Sequence, residues 1–189
     1  MQSPVNEAGL FLVNTLFGLY ILAVMLRFLL QWARADFYNP IVQFLVKITN
    51  PPLLPLRRFI PGLMGLDMAA VVLLVVLQFV ELSLVSGMQG YSPGFGQLMV
   101  LSLAQLLELL LNVFIFAIII QAILSWINPN PYNPAMALLN QLTYPVLRPA
   151  RQLLPPVSGI DLSPLIALVA LYLVRILVVG TLYGIAGGG

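Results

Sequence analysis

Four apolar segments constrain this chain more than any other feature of its sequence. They cover approximately residues 10–32, 67–86, 98–126 and 161–185. Each approaches or exceeds the ~20 residues that a helix needs to cross the hydrocarbon core of a bilayer. Because lipid offers the backbone no hydrogen-bonding partner, each segment is expected to be a helix, and the shorter alternating segments of a barrel are not seen. We therefore predict an all-α membrane protein with four transmembrane helices.

The composition agrees with this class and excludes several kinds of site. Hydrophobic residues make up 61% of the chain and charged residues 7%, whereas a soluble domain carries roughly a quarter charged residues. Cysteine and histidine are absent, which excludes disulfides, thiol nucleophiles, zinc fingers and imidazole-ligated haem. No phosphate-binding loop and no nucleophile with a base is found. We expect no enzymatic activity, no cofactor and no metal.

The basic residues lie on one predicted side of the membrane. Six of the eight fall in two proline-rich loops, residues 33–66 and 127–160: Arg34, Lys47, Arg57, Arg58, Arg148 and Arg151. The linker at 87–97 and both tails carry none. Because basic loops stay in the cytoplasm, we predict both loops inside and both termini and the linker on the outer face of the membrane. The N-terminal segment lacks a basic start and is interpreted as a retained helix.

An internal repeat connects the two halves of the chain. Trp32 and Trp126 are 94 positions apart (126 − 32), and the same offset pairs further residues along the two loops without a gap. The pairs are Tyr38 and Tyr132, Asn39 and Asn133, Pro40 and Pro134, Thr49 and Thr143, Pro51 and Pro145, Pro55 and Pro149, Arg57 and Arg151, Pro61 and Pro155, Gly65 and Gly159, and Asp67 and Asp161. So many matches at one spacing indicate a duplication.

The duplication defines two units, residues 1–94 and 95–189, each consisting of a helix, a loop and a helix. Since each unit has two spans, both copies should insert in the same direction, as parallel repeats about an axis along the membrane normal. Asn39 and Pro40 are typical of an N-cap and a first helical residue. A short amphipathic interfacial helix is predicted to follow and to end at Pro51, with rigid turns beyond it. The second copy predicts the same from Asn133 to Leu142.

Acidic residues mark the start of two spans. Asp67 and Asp161 are interpreted as N-caps, where a carboxylate meets free amides and the positive end of the helix dipole. A second interpretation, compatible with the first, is a symmetric pair of acids that binds a cation or pairs with Arg57 and Arg151.

Few charged residues fall inside the spans. Arg27 is expected to extend its head group to the cytoplasmic interface. Glu81 and Arg175 share the 94-residue offset (175 − 81), so we predict an ion pair between them across the pseudo-twofold axis. Glu108, beside Asn112, is expected to join this cluster. The cluster is either a polar contact between helices or the lining of an ion path, to which Gln78 could contribute.

The repeated motif resembles that of the YggT (YlmG-related) family over nearly the whole chain. The residues that carry the resemblance are Tyr38-Asn39-Pro40, Thr49, Pro51, Pro55-Leu56-Arg57, Pro61, Gly65, Asp67 and, in the second copy, Asp161-Leu162-Ser163-Pro164-Leu165. The first copy departs from the family pattern, with Met68-Ala69-Ala70 where the second has Ser-Pro. The resemblance implies a bacterial inner-membrane protein linked to osmotic or envelope stress and to ion homeostasis. It also implies distant chloroplast relatives in cytochrome assembly and organelle or nucleoid distribution.

Two functions follow as hypotheses. The first is a non-catalytic membrane scaffold or assembly factor whose rigid cytoplasmic loops dock a partner protein, because the repeat matches concentrate in the loops. The alternative is a small ion channel or transporter subunit in osmotic balance, for which a homo-oligomer could build the pore. The expected partners are the lipid bilayer and a membrane or cytoplasmic protein, and no nucleic acid.

Overall fold

A computed structural model describes residues 3–63, 65–127, 133–153 and 161–187. These residues form helices joined by short turns and contain no strand. The helices are α1 (Pro4–Trp32), α2 (Pro40–Phe59), α3 (Met68–Met88), α4 (Phe95–Ile127), α5 (Pro134–Leu153), α6 (Ser163–Val174) and α7 (Gly180–Gly187), with a π-helical segment at Arg175–Val179 between the last two. We call α2 and α5 the connecting helices.

Four stretches have the length and apolar composition needed to cross a membrane, which confirms the four predicted spans. They are Pro4–Trp32, Met68–Met88, Phe95–Ser125 and Ser163–Gly187. The last one runs through α6, the π-helical segment and α7. Large apolar side chains on these helices are widely exposed, as at Phe11 (68%) and Ile176 (66%). Such surfaces suit a lipid solvent.

Small residues bring the helices together. Ala69, Ala70 and Ala104 are completely buried, and Ala117 is nearly so. In lipid the hydrophobic effect gives no drive for helix association, so close van der Waals packing at small residues carries much of it. The first connecting helix joins this core through Leu53, which is also completely buried.

The connecting helices are longer than the sequence pattern predicts. The predicted end at Pro51 is wrong, because α2 continues through Pro51, Pro52 and Pro55 to Phe59. A proline inside a helix leaves the carbonyl four residues earlier without its usual donor. Here Pro52 frees the Ile48 carbonyl, and the Tyr20 hydroxyl of α1 donates to it at 3.3 Å. A neighbouring span therefore supplies a bond that the helix itself cannot make.

The second connecting helix corrects the same prediction. α5 passes through Pro145 and Pro149 and ends at Leu153, beyond the predicted end at Leu142. The predicted turns after Pro145 are therefore helical up to Leu153. Pro155 and Gly159 lie outside the described residues.

The two connecting helices meet at one end of the bundle. The Asn39 side chain donates from Nδ2 to the Pro134 carbonyl at 2.9 Å. The backbone N–H of Asp36 donates to Gln141 Oε1 at 3.2 Å. A separate polar contact joins the start of α1 to the end of α3, where Asn6 Nδ2 donates to the Met88 carbonyl at 2.9 Å.

Candidate functional site

An Arg–Asp ion pair ties the end of α2 to the start of α3. Asp67 caps α3, with Oδ1 accepting from the Ala70 N–H at 3.3 Å. Its Oδ2 accepts from both Nε and Nη2 of Arg57, the former at 3.2 Å. Asp67 is buried while Arg57 is about one-third exposed. The capping interpretation and the pairing interpretation of Asp67 therefore hold together.

The second copy carries an equivalent ion pair in a more exposed setting. Arg151 Nε donates to Asp161 Oδ2 at 3.2 Å, and Asp161 Oδ1 accepts from the Ser163 N–H at 2.9 Å. The N-cap position of α6 is Leu162, so Asp161 satisfies a helix amide from one residue outside the cap. Burial by itself raises the pKa of Asp161, but its contacts with Ser163 and the charge of Arg151 outweigh it and hold the pKa below its usual value.

The turn between α2 and α3 explains one glycine of the motif. Gly65 has φ +81°, a left-handed conformation that side-chain-bearing residues adopt at a cost. The turn is closed by reciprocal backbone bonds between Leu63 and Leu66, at 3.1 and 2.9 Å. It brings Asp67 back towards Arg57. The corresponding Gly159 lies outside the described residues.

Arg27 is a buried anchor between α1 and α2, and its extension to the cytoplasmic interface stays a prediction. Its side chain on α1 is only 6% exposed. Nη1 donates to Thr49 Oγ1 at 2.7 Å, to Asn50 Oδ1 at 2.9 Å and to the Val46 carbonyl at 3.3 Å. Thr49 in turn donates to the Leu45 carbonyl at 2.6 Å. The guanidinium is held inside because α2 packs across it and offers three acceptors.

The second copy repeats this anchor with a neutral residue. The 94-residue offset places Gln121 at the position of Arg27, and Thr143 Oγ1 donates to Gln121 Oε1 at 2.5 Å. Gln121 Nε2 also donates to Asn140 Oδ1 at 2.7 Å. Both threonines are completely buried. The offset in the sequence could have revealed this pair of anchors, because Arg27 and Gln121 are both polar residues within apolar runs.

A cleft of about 710 Å³ opens where these features meet in the first copy. Its polar lining consists of Arg27, Gln31, Arg57 and Asp67. Its apolar lining includes Leu30, Phe37, Val42, Val46, Ile60 and Leu66. We call this space the Arg27 cleft. Its residues come from the end of α1, from the segment between α1 and α2, from α2 and from the turn before α3.

The remaining motif residues lie around the connecting helices. Asn39 and Asn133 accept from the N–H groups two residues ahead, at 3.0 and 2.9 Å, as the Asn-Pro pattern predicts. Trp32 packs edge-on against Phe114, with ring centroids 6.2 Å apart. Tyr38 is largely exposed and Pro61 lies in the turn after α2. Tyr132 and the side chain of Trp126 lie outside the described part of the structure.

The charged residues Glu81, Glu108 and Arg175 lie in two separate clusters, and the predicted Glu81–Arg175 pair is wrong. Arg175 instead donates from Nη2 to Glu108 Oε1 at 2.5 Å, and the Tyr183 hydroxyl donates to Glu108 Oε2 at 2.9 Å. In the other cluster, Gln78 Nε2 donates to Glu81 and to Gln105, at 2.8 and 2.7 Å.

Glu81 and Arg175 are separated because of the order in which the spans pack. α4 contacts both α3 and the last span, and within the described residues α3 and the last span do not touch. Equivalence by sequence offset therefore does not bring Glu81 and Arg175 together. Asn112 is half-buried on α4, four residues beyond Glu108. Among residues 3–63, 65–127, 133–153 and 161–187, no group of three or more acidic side chains could hold a metal ion.

Comparison with known proteins identifies the family. The CCB3/YggT family model matches residues 7–88 and again residues 100–182. The chain belongs to the CCB3/YggT family. Each matched segment of this CCB3/YggT protein includes one of the two Arg–Asp ion pairs.

Several bacterial relatives match most of the chain. An uncharacterized protein of Pseudomonas aeruginosa is 46% identical over 184 residues, covering 96% of this chain and 93% of the relative. An uncharacterized protein of Vibrio alginolyticus is 42% identical, covering 85% of this chain and 88% of its own. The uncharacterized protein YggT of Escherichia coli K12 is 38% identical, covering 87% and 86%. No solved structure matches the chain.

Proposed function

We propose that this CCB3/YggT protein is a non-enzymatic scaffold or assembly factor of the bacterial inner membrane that supports tolerance of osmotic or envelope stress. Its connecting helices α2 and α5 face the cytoplasm and dock a partner protein. Both termini and the linker between α3 and α4 face the periplasm. This orientation follows from the basic residues near the connecting helices and the lack of basic residues in the linker and tails.

The observation that carries the proposal is the duplicated fixing of the connecting helices. Each one is held to the preceding span through a buried threonine, Thr49 or Thr143. Each is also tied at its far end to the following span by an Arg–Asp ion pair. A helix fixed at both ends and packed on its neighbour keeps its outward face in one geometry. Such preorganisation favours docking, because little conformational entropy is lost on binding.

The two copies are interpreted as parallel repeats, residues 1–94 and 95–189, about a pseudo-twofold axis along the membrane normal. In this arrangement α2 and α5 lie side by side in the cytoplasmic interface, with apolar side chains toward the bilayer. The hydrogen bond from Asn39 to the Pro134 carbonyl supports a common platform.

The alternative function is a channel or transporter subunit. Four candidate path residues in the described spans favour the scaffold, because Glu108 bonds to Arg175 and Gln78 bonds to Glu81 in two separate clusters. Groups that satisfy each other do not need water between them. A homo-oligomer could still combine surfaces from several chains, so conduction is tested directly.

A flux measurement separates the two functions. Purified protein in sealed liposomes should give no more potassium release than protein-free liposomes under an osmotic step. The Glu108→Ala variant should behave identically. Potassium flux in the wild type that Glu108→Ala abolishes would overturn the scaffold proposal.

Docking is tested by photo-crosslinking in living cells. A photoreactive residue placed at exposed Lys47 or Gln152 should yield a specific protein adduct under high osmolarity, and one at Ser92 in the linker should not. Replacing both Arg57 and Arg151 by Gln should reduce the adduct and, in a deletion strain, growth at high osmolarity. Adducts of equal yield at Ser92, or full growth of the double variant, would contradict a docking role.

A further inference from the structure

Arg27 carries a buried positive charge that has no acidic salt-bridge partner among the described residues. The residue as a whole is only 6% exposed, and arginine is rarely so deeply buried unless it is paired. Its hydrogen-bond partners, Thr49, Asn50 and the Val46 carbonyl, are all neutral. Within the described residues no carboxylate forms a salt bridge with it. A buried charge without a counterion is costly, so an anion from outside the chain is expected beside it.

The geometry of the Arg27 cleft leaves room for that anion. All three bonds of Arg27 use Nη1, and in the described part of the chain Nε and Nη2 have no partner. Arg27 and Arg57 both line the cleft, and Asp67 offsets only one of the two positive charges. Asp67 is already engaged by Arg57 and by the α3 amide. The cleft thus carries a net charge of about +1, with unused guanidinium donors.

The position and walls of the cleft indicate what carries the anion. Arg27 lies five residues before Trp32 (32 − 27), about 7.5 Å along α1. Tryptophan is enriched at membrane interfaces, where lipid phosphates lie. The apolar walls, with Phe37, Val42 and Ile60 among them, suit the glycerol and upper acyl chains of a lipid. The cleft volume of about 710 Å³ is within the ~300–1,000 Å³ of pockets that hold small ligands.

We propose that the Arg27 cleft binds a phosphate anion, presented by the headgroup of an anionic phospholipid, with Arg27 and Arg57 as donors. Arginine suits this role because its planar guanidinium matches the oxygens of a phosphate. We assign the site to the first copy on the described residues of the second. In the second copy Gln121 replaces Arg27, and the charge of Arg151 is offset by Asp161.

The duplication provides a variant that removes the charge but keeps the anchor. Arg27→Gln introduces the residue that Gln121 supplies in the second copy, where it contacts a buried threonine without a charge. The full-length variant is therefore expected to fold. Arg148→Gln removes one exposed positive charge from α5, away from the cleft, and serves as the matched control.

The experiment measures ligand-dependent thermal unfolding of purified protein in an uncharged detergent at pH 7. The probes are short-chain phosphatidylglycerol, short-chain phosphatidylcholine and inorganic phosphate. Stabilisation should saturate with phosphatidylglycerol, and phosphatidylcholine should be weaker. Arg27→Gln should raise the apparent Kd about tenfold or more, the effect expected when one charged donor is lost. Arg148→Gln should leave it unchanged.

The outcomes of the experiment identify the source of the anion or contradict the proposal. Inorganic phosphate that acts at the same concentration as phosphatidylglycerol would support a phosphate site for a soluble ligand. Stabilisation by phosphatidylglycerol alone supports the lipid. Absence of stabilisation by either, an equal effect of phosphatidylcholine, or equal losses in Arg27→Gln and Arg148→Gln would overturn the proposal.

Discussion

Charged side chains inside the spans are stabilised by local partners. Arg175 on the last span meets Glu108 on α4, and Tyr183 adds a hydrogen bond to the same carboxylate. Glu81 has a different environment, since its partner is the neutral amide of Gln78. Removing one member of an ion pair leaves the other charge unpaired in a poor solvent. Neutralising a charged residue whose partner is neutral leaves no unpaired charge.

The two glutamates should therefore respond differently to neutralisation. Glu108→Gln is expected to lower the free energy of unfolding by about 2 kcal/mol, because Arg175 loses a charged acceptor. Glu81→Gln should cost less than about 1 kcal/mol, since the hydrogen bond from Gln78 can be kept. Thermal unfolding in detergent micelles measures both. Exchanging the charges, as Glu108→Arg with Arg175→Glu, should recover part of the lost stability. Equal losses of stability in Glu108→Gln and Glu81→Gln would contradict the assigned pairing.

The ion pair of Arg151 and Asp161 gives the second copy a pH dependence. The pKa of Asp161 is lowered in the folded protein, so its stabilisation is present above the unfolded value of 3.8 and is lost as the pH falls through the folded value. At pH 7 the free energy of unfolding of the wild type should exceed that of Asp161→Asn, by no more than about 1 kcal/mol for such an exposed pair. The difference should shrink below about pH 4. A difference that stays constant down to pH 3 would show that the ionised carboxylate is not its source.

At the scale of elements, the connecting helices depend on their neighbours. Three prolines lie inside α2, yet the helix continues to Phe59. One carbonyl freed by these prolines, that of Ile48, accepts from Tyr20 of α1. The local rule that a proline interrupts a helix is correct for the isolated segment. Tertiary contacts override it here.

A double-mutant cycle tests this compensation. Tyr20→Phe removes the hydroxyl and should destabilise the protein by about 1 kcal/mol, because the Ile48 carbonyl then has no donor. Pro52→Ala restores the N–H that a helix normally supplies to that carbonyl. In the Pro52→Ala background, Tyr20→Phe should cost clearly less. Additive effects of the two changes on the free energy of unfolding would show that Tyr20 does not serve this carbonyl.

The sequence predicts local properties of the helices better than the contacts between them. Span length and apolar composition are local properties, so the four spanning helices could be predicted, although the first begins at Pro4, six residues before its predicted start. The caps at Asn39 and Asp67 are likewise local. The partners of Arg27 and Arg175 are set by how helices pack, and the sequence offset between Glu81 and Arg175 carries no information about that packing. The Arg27 cleft is lined by several separate parts of the chain and has no sequence signature.

In the whole protein, the contact between the connecting helices fixes how the two copies lie relative to each other. The Asn39–Pro134 and Asp36–Gln141 bonds join residues more than 90 positions apart. They hold the segment just before α2 against the first half of α5. If the helices share one end of the bundle in the membrane, both must lie on the same side of the bilayer. An even number of spans between them, α3 and α4, satisfies this condition.

The absence of cysteine allows this topology to be tested in the intact protein. Single cysteines are introduced at three exposed positions: Arg58 on α2, Arg148 on α5 and Ser92 in the linker. In intact spheroplasts a membrane-impermeant maleimide should label only Ser92→Cys, because basic segments remain in the cytoplasm. After lysis all three should react, which controls for accessibility. Labelling of Arg58→Cys and Arg148→Cys from opposite sides would contradict two parallel copies, and labelling of both from outside would reverse the proposed orientation.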